Sequence, residues 1–278
     1  MDKIYYDGNF ISKNNFSISI ENRGFRYGDS FFETIRCYNG KPIFWEEHYF
    51  RIAGSFCVLK MDPPSEFEID RLNLIVKDLL NENNLMSSSA RVRITFFRVS
   101  EGYYFPKKND VFFIIEADKI VMEEYVINQT GLNTTIYKEN ILAKNHLGNI
   151  KSSNRLINIM ASIYAKENSF DDCFLINVDQ NIVESISGNV FILSDGIIQT
   201  PPLSDGCING VLRSVLLKEK SLNILEKSIS ILDLFNAKEV FVTNVMVGVK
   251  WVGSIRSSIY KKDMSIRVLD ILNRKYLI

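Results

Sequence analysis

The stretch Ile182-Val183-Glu184-Ser185-Ile186-Ser187-Gly188-Asn189-Val190-Phe191-Ile192-Leu193-Ser194-Asp195-Gly196-Ile197-Ile198-Gln199-Thr200 carries the reading of the fold. Residues 190–193 and 197–200 are short apolar runs, and Asp195-Gly196 stands between them. Asp-Gly supplies the positive φ angles that a two-residue hairpin turn needs, so a strand, a tight turn and a second strand are predicted. Asp7-Gly8 and Asn39-Gly40 sit between apolar runs in the same way and predict two further hairpins. Strand runs follow at 91–98, 111–116, 132–137, 173–178 and 239–243, some alternating and some continuously apolar.

Helical spacing interrupts the strands. Leu72, Ile75, Val76, Leu79 and Leu80 fall at i, i+3, i+4, i+7 and i+8 and predict one buried stripe. Leu156, Met160, Ile163 and Tyr164 predict another over 153–167, with Ser152 or Ser153 as its cap. Further helices are expected over 46–59 and from 210 or 211 to about 220. These elements give a mixed α+β or α/β protein of two domains. The first is expected over 1–118, a connector over 119–130, and the second over 131–278.

Composition narrows the function classes. The 278 residues carry 33 Lys+Arg against 33 Asp+Glu, and 46% are apolar. That apolar share is enough to offset ordering entropy, which argues against disorder. Zero net charge leaves no basic footprint for nucleic acid, so none is expected as a partner. No stretch approaches the roughly 20 apolar residues of a bilayer span, and no signal-peptide core opens the chain. Cys37, Cys57, Cys173 and Cys207 form no Cys-x-x-Cys pair, and His48 and His146 lie far apart. Reduced thiols in a cytoplasmic protein without a His-rich metal centre are therefore expected, and no metal is assigned.

Several segments hold residues suited to chemistry. Lys151 precedes a helix, Glu184 lies between two strand runs, and Arg51 follows His48 by three on a helix. The Pro- and Gly-rich run Thr200-Pro201-Pro202-Leu203 leads to Gly210-Val211-Leu212-Arg213, a helix start whose N–H groups suit phosphate. Read singly, each is also an ordinary surface or loop feature. No dinucleotide-binding, P-loop or nucleophile-elbow motif is present.

Taken in order, five blocks are specific. They are Arg26-Tyr27-Gly28-Asp29-Ser30-Phe31-Phe32-Glu33-Thr34-Ile35-Arg36; Glu47-His48-Tyr49-Phe50-Arg51-Ile52; Ile150-Lys151-Ser152-Ser153-Asn154-Arg155-Leu156; Glu184 through Phe191; and Thr200 through Arg213. Together they resemble the fold-type IV family of pyridoxal-phosphate enzymes, which includes branched-chain aminotransferases, D-amino-acid aminotransferases and aminodeoxychorismate lyases. The resemblance spans residues 4–252 and implies a small N-terminal domain, a larger C-terminal pseudo-barrel domain and a homodimer.

The resemblance also implies roles. Lys151 would anchor pyridoxal phosphate as a Schiff base and then shuttle a proton, and Glu184 would pair with the pyridine nitrogen. Arg51, Ser187, Gly188, Asn189, Val211 and Leu212 would hold the phosphate. Tyr27 and Phe32 would line the substrate pocket, and Thr34 stands where the lyases carry a threonine linked to pyruvate elimination. Glu101 departs from the family's carboxylate-binding arginine, so Arg91, Arg93 or Arg98 is expected to substitute. Arg155 is given no role. The implied activity is transfer of an amino group from a branched-chain-like or D-amino acid to a 2-oxo acid. The alternatives are 4-amino-4-deoxychorismate lyase and a non-catalytic relative.

Overall fold

The structure is a computed structural model and describes residues 2–276. The chain divides into two compact units. One holds the residues up to Glu123 together with Lys151–Asn154, and the other holds Glu124–Ile150 and everything from Arg155 onward.

The first unit contains β1 (Lys3–Tyr6), β2 (Asn9–Ser12), α1 (Arg23–Tyr27), β3 (Ser30–Tyr38), β4 (Lys41–Pro42), α2 (Trp45–Leu59), α3 (Ile69–Glu82), β5 (Ala90–Arg98) and β6 (Val111–Lys119). Its sheet runs β2-β1-β6-β5-β3-β4, every neighbour antiparallel. The Asp7-Gly8 turn has φ of 49° and 78°, and Asn39-Gly40 has 46° and 72°, the pair of left-handed residues that the hairpin reading requires. All five apolar residues of the α3 stripe are buried. Each such burial contributes about 1.5–3 kcal/mol before entropy is counted. Strand β5 alternates, with Val92, Ile94 and Phe96 in the core and Arg91, Arg93 and Thr95 on the more open face.

The segment Lys151–Asn154 joins this unit through backbone bonds to β3. The Phe32 N–H donates to the Lys151 carbonyl at 2.9 Å, and the Ser153 N–H donates to the Ser30 carbonyl at 3.0 Å. Ser152 faces Phe31 as an isolated bridge.

The second unit contains β7 (Leu132–Leu142), α4 (Leu156–Glu167), β8 (Asp172–Asn177), β9 (Asn181–Ser185), β10 (Asn189–Ser194), β11 (Ile197–Thr200), α5 (Val211–Leu217), β12 (Ile224–Glu226), β13 (Ile229–Ser230), α6 (Ile231–Asn236), β14 (Glu239–Asn244), β15 (Gly248–Ile255), β16 (Ser258–Ile259) and α7 (Asp263–Tyr276). The sheet order is β12-β11-β10-β14-β15-β7-β8-β9-β13, with β16 on β15. It is mixed, because β7 lies parallel to both β8 and β15. The Asp195-Gly196 turn, with φ of 51° and 79°, closes the β10–β11 hairpin. The rings of Phe191 and Phe241 stack at 5.2 Å across β10 and β14.

Two helices differ from expectation. Helix α4 starts at Leu156 with Arg155 at its cap and no side-chain capping bond, because Ser152 and Ser153 are taken up by β3. Its expected stripe is also reversed. Leu156 is 74% exposed, and Met160 and Ile163 are exposed too, while Ala161 and Ala165 face the core. Alanine lets the helix approach Tyr137, Cys173 and Leu175 of β7 and β8 closely, which a leucine face would prevent. Helix α5 ends at Leu217, short of 220, where the Glu219 N–H turns back to the Leu216 carbonyl. Among the described residues no helix is long and apolar enough to cross a membrane.

Candidate active site

Each unit presents its own group of site residues. In the first unit, the bonds between 151–153 and β3 fix the Lys151 backbone against the start of that strand. The Lys151 Nζ then lies 4.6 Å from the centre of the Phe32 ring. The Arg93 guanidinium lies 3.8 Å from the same ring. Thr34 follows Phe32 by two on β3 and stands opposite Arg93 in the ladder. An amine and a guanidinium thus stand on one aromatic ring, with Thr34 on the same face of β3, a cationic cluster suited to an anionic substrate.

The other face of β3 points at α2. Glu33 is buried there, and its carboxylate meets two residues one helical turn apart. Arg51 grips it with two nitrogens, Nε donating to Oε2 at 2.9 Å and Nη2 donating to Oε1. His48 Nδ1 donates to Oε1 at 2.8 Å. Burial by itself would raise the Glu33 pKa, but Arg51 and His48 together pull it down to about 2. Burial pushes the His48 pKa below its ordinary value despite the carboxylate. Neutral His48 donating through Nδ1, with Arg51 as the cation, accounts for both directions. His48 Nε2 is then a bare lone pair without a hydrogen-bond partner, cheaper to bury than an unpaired N–H.

The remaining pocket expectations fare differently. Arg98 is not a substrate clamp. Its Nε donates to Asp29 at 3.0 Å, Nη1 to the Lys60 carbonyl at 3.0 Å and to Asn109, and Nη2 to the Leu59 carbonyl at 2.7 Å. The side chain is buried and its donors are committed to tying α2 to the sheet. Arg91 pairs with Asp118 at 3.5 Å. Tyr27 packs against the Tyr104 ring at 5.6 Å and under the Arg23 guanidinium at 5.2 Å. Glu101 is exposed and pairs with Lys107 at 2.5 Å.

In the second unit, Glu184 sits on β9 and is 4% exposed. Its Oε2 accepts from the Ile208 N–H at 2.9 Å, and Oε1 lies 4.0 Å from Arg155 Nη1. Arg155 is oriented by donating from Nη2 to the Ile150 carbonyl at 2.8 Å. Burial lowers the Arg155 pKa, with Glu184 opposing. Asn189 closes the arrangement by donating to the Ile208 carbonyl at 2.9 Å. Ile208 therefore links the carboxylate to β10.

A cradle lies beside it. Gly210 packs so tightly that an added Cβ would fall 1.8 Å from Asn189 Oδ1, and one on Gly188 would fall 2.9 Å from the Thr243 carbonyl. Gly210 caps α5 without a side chain of its own, so the first-turn N–H groups of Val211 and Leu212 have no side-chain cap. Asn244 donates from Nδ2 to the Ser187 carbonyl at 3.2 Å and holds that turn to β14. Thr243 Oγ1 is buried with no hydrogen-bond partner. A buried hydroxyl without a partner is costly unless a ligand meets it. Together with the uncapped N–H groups of Val211 and Leu212, it fits a phosphate group.

The amino-transferase class IV family profile matches residues 30–255, most of the chain. The chain belongs to the class IV aminotransferase family. This aminotransferase is 28% identical over 286 residues to a protein of Methanocaldococcus jannaschii provisionally named a branched-chain-amino-acid aminotransferase, covering 95% of this chain and 96% of that one. It is 27% identical over 247 residues to the D-alanine aminotransferase of Staphylococcus haemolyticus, covering 88% and 86%. Its fold is that of the branched-chain amino acid aminotransferase from Escherichia coli, with a TM-score of 0.87 at 23% identity over 99% of this chain and 94% of that one.

Sequence reading did not single out Glu33 and His48, nor Thr243 as an individual atom, and it left Arg155 without a role. The signal for Glu33 was present in β3, where 31, 33, 35 and 37 share the buried face and a lone carboxylate there demands a partner. Arg155 gave no local signal, since its contact with Glu184 joins segments 29 residues apart (184 − 155).

Proposed function

We propose that this enzyme transfers the amino group of an amino acid, of the branched-chain or D-alanine type, to a 2-oxo acid with pyridoxal 5'-phosphate as cofactor. The observation that carries the reading is Lys151, whose amine is held at the Phe32 ring by backbone bonds to β3. When bound, the cofactor supplies an aldehyde for amine exchange and an electron sink for the electrons left when the substrate Cα loses its proton.

The chain's own residues do the rest. Lys151 would be the covalent anchor of the cofactor, and its amine, when free, would be the base that accepts and returns a proton. Glu184, held by the Ile208 N–H and faced by Arg155, would offer a negative charge to the cofactor's ring nitrogen and so favour its protonated form. Val211 and Leu212 N–H groups, the Ser187-Gly188-Asn189 turn and Thr243 Oγ1 would hold the phosphate, and Arg51 is assigned as a further phosphate partner on the strength of the resemblance alone. Arg93 on the Phe32 ring meets a substrate carboxylate, the part that Arg98 is not free to play.

Thr34, which by resemblance stands where the lyases carry their threonine, supports a second reading, elimination of pyruvate from aminodeoxychorismate. Absorbance spectra of the holoenzyme mixed with single amino acids separate the two. Transamination converts the cofactor to its pyridoxamine form with one equivalent of oxo acid, and Lys151→Ala loses turnover. Failure with every L- and D-amino acid, together with pyruvate release from aminodeoxychorismate, would replace the first reading by the second.

A further inference from the structure

We infer that Glu33 and His48 are positioning residues for cofactor phosphate binding, forming a buried brace that holds the Arg51 guanidinium in one orientation. This rests on the reading of Arg51 as a phosphate partner. A long arginine has many rotamers, and fixing one of them before the ligand arrives removes an ordering cost from binding. The planar guanidinium offers two nitrogens along each edge, and Glu33 takes the Nε and Nη2 edge. That fixes rotation about the last side-chain bonds of Arg51.

The carboxylate is itself immobilised. Oε1 accepts from His48 Nδ1 at 2.8 Å and from the Thr34 N–H at 3.2 Å, in addition to Arg51. Glu33 is 2% exposed and His48 is 0% exposed, so neither exchanges these bonds for water. A buried charge pair is poor value as a stabiliser, since removing two charges from water offsets most of the attraction. Its use here is orientation. The same arrangement links the two faces of β3, because Thr34, whose N–H holds Oε1, carries its side chain on the Lys151 side.

The test compares two ligands, pyridoxal 5'-phosphate and pyridoxal, which lacks the phosphate. Dissociation constants for both are measured on cofactor-stripped wild type, Glu33→Gln, His48→Phe, His48→Asn and Arg51→Lys, with melting temperatures alongside. The ratio of the two constants isolates the phosphate contribution. In Glu33→Gln and His48→Phe that preference should fall roughly tenfold, the scale on which residues behind a ligand-binding group act. His48→Asn keeps a donor near the Nδ1 position and should restore most of it.

Loss of affinity for both ligands in equal proportion, or equal ratios in His48→Phe and His48→Asn, would overturn the inference and leave the cluster merely structural. If Glu33→Gln does not fold, the two His48 variants decide alone. Arg51→Lys separates the levels. An unchanged ratio there removes the reading of Arg51 itself, whereas a lowered ratio with unchanged His48→Phe removes only the brace.

Discussion

Glu33 sets how the enzyme meets acid. Its folded pKa, about 2, lies below the ordinary 4.5, so the carboxylate contributes stability that is fully present above 4.5 and is lost as pH falls toward 2. His48 adds to this in the same direction, because burial lowers its pKa below 6.5 and the unfolded chain takes up a proton that the folded one refuses. Stability should therefore decline below 6.5 and more steeply below 4.5. Glu33→Gln should be less stable than wild type at neutral pH and show a flatter acid limb. Thermal melts across this pH range check it, and a parallel limb in the variant would show that some other carboxylate governs acid unfolding. At this scale motif order picks out Lys151 and Glu184 from sequence. It says nothing of Arg98, whose partners Asp29, Asn109, Leu59 and Lys60 come from distant segments.

The elements show where local rules suffice and where they stop. Asp7-Gly8, Asn39-Gly40 and Asp195-Gly196 all turn hairpins, because the required φ angles are a property of two residues. The face of α4 was not readable in the same way. Period 3.6 identifies a helix, but the face it marked, with Leu156, Met160 and Ile163, lies exposed, and the alanine face packs on β7 and β8. The junction before α5 yields a further expectation. In Gly210→Ala the new methyl must displace Asn189, which holds Ile208, which in turn holds Glu184. The variant should lose about 1–3 kcal/mol of stability, the usual cost of overpacking, and bind the cofactor more weakly. Gly54→Ala in α2 is the contrast, since nothing lies within 4 Å of its Cβ position. That change should stabilise by about 0.5–1 kcal/mol through helix preference alone. Equal melting temperatures for the two variants would contradict the packing argument.

For the whole molecule, cofactor and stability are linked by mass action. Pyridoxal 5'-phosphate binds the folded chain and should raise the melting temperature of cofactor-stripped protein, with about 2.7 kcal/mol of added stability at a hundredfold excess over the dissociation constant. Pyridoxal should raise it less at equal concentration if Thr243 Oγ1 and the α5 N–H groups form the proposed phosphate cradle, since it would leave them unmet. Identical shifts for the two ligands would count against the phosphate cradle. The sequence by itself determined the mixed α/β class, the hairpin turns, the buried stripe of α3 and the family, because alternation, left-handed turn residues and motif order are local or ordered along the chain. Only the tertiary structure decided which arginine stands on the Phe32 ring, which is consumed beneath the sheet, and which carboxylate braces Arg51. Those outcomes depend on donors and acceptors brought together from remote segments, and a one-dimensional pattern does not encode which of several equal charges will find its partner first.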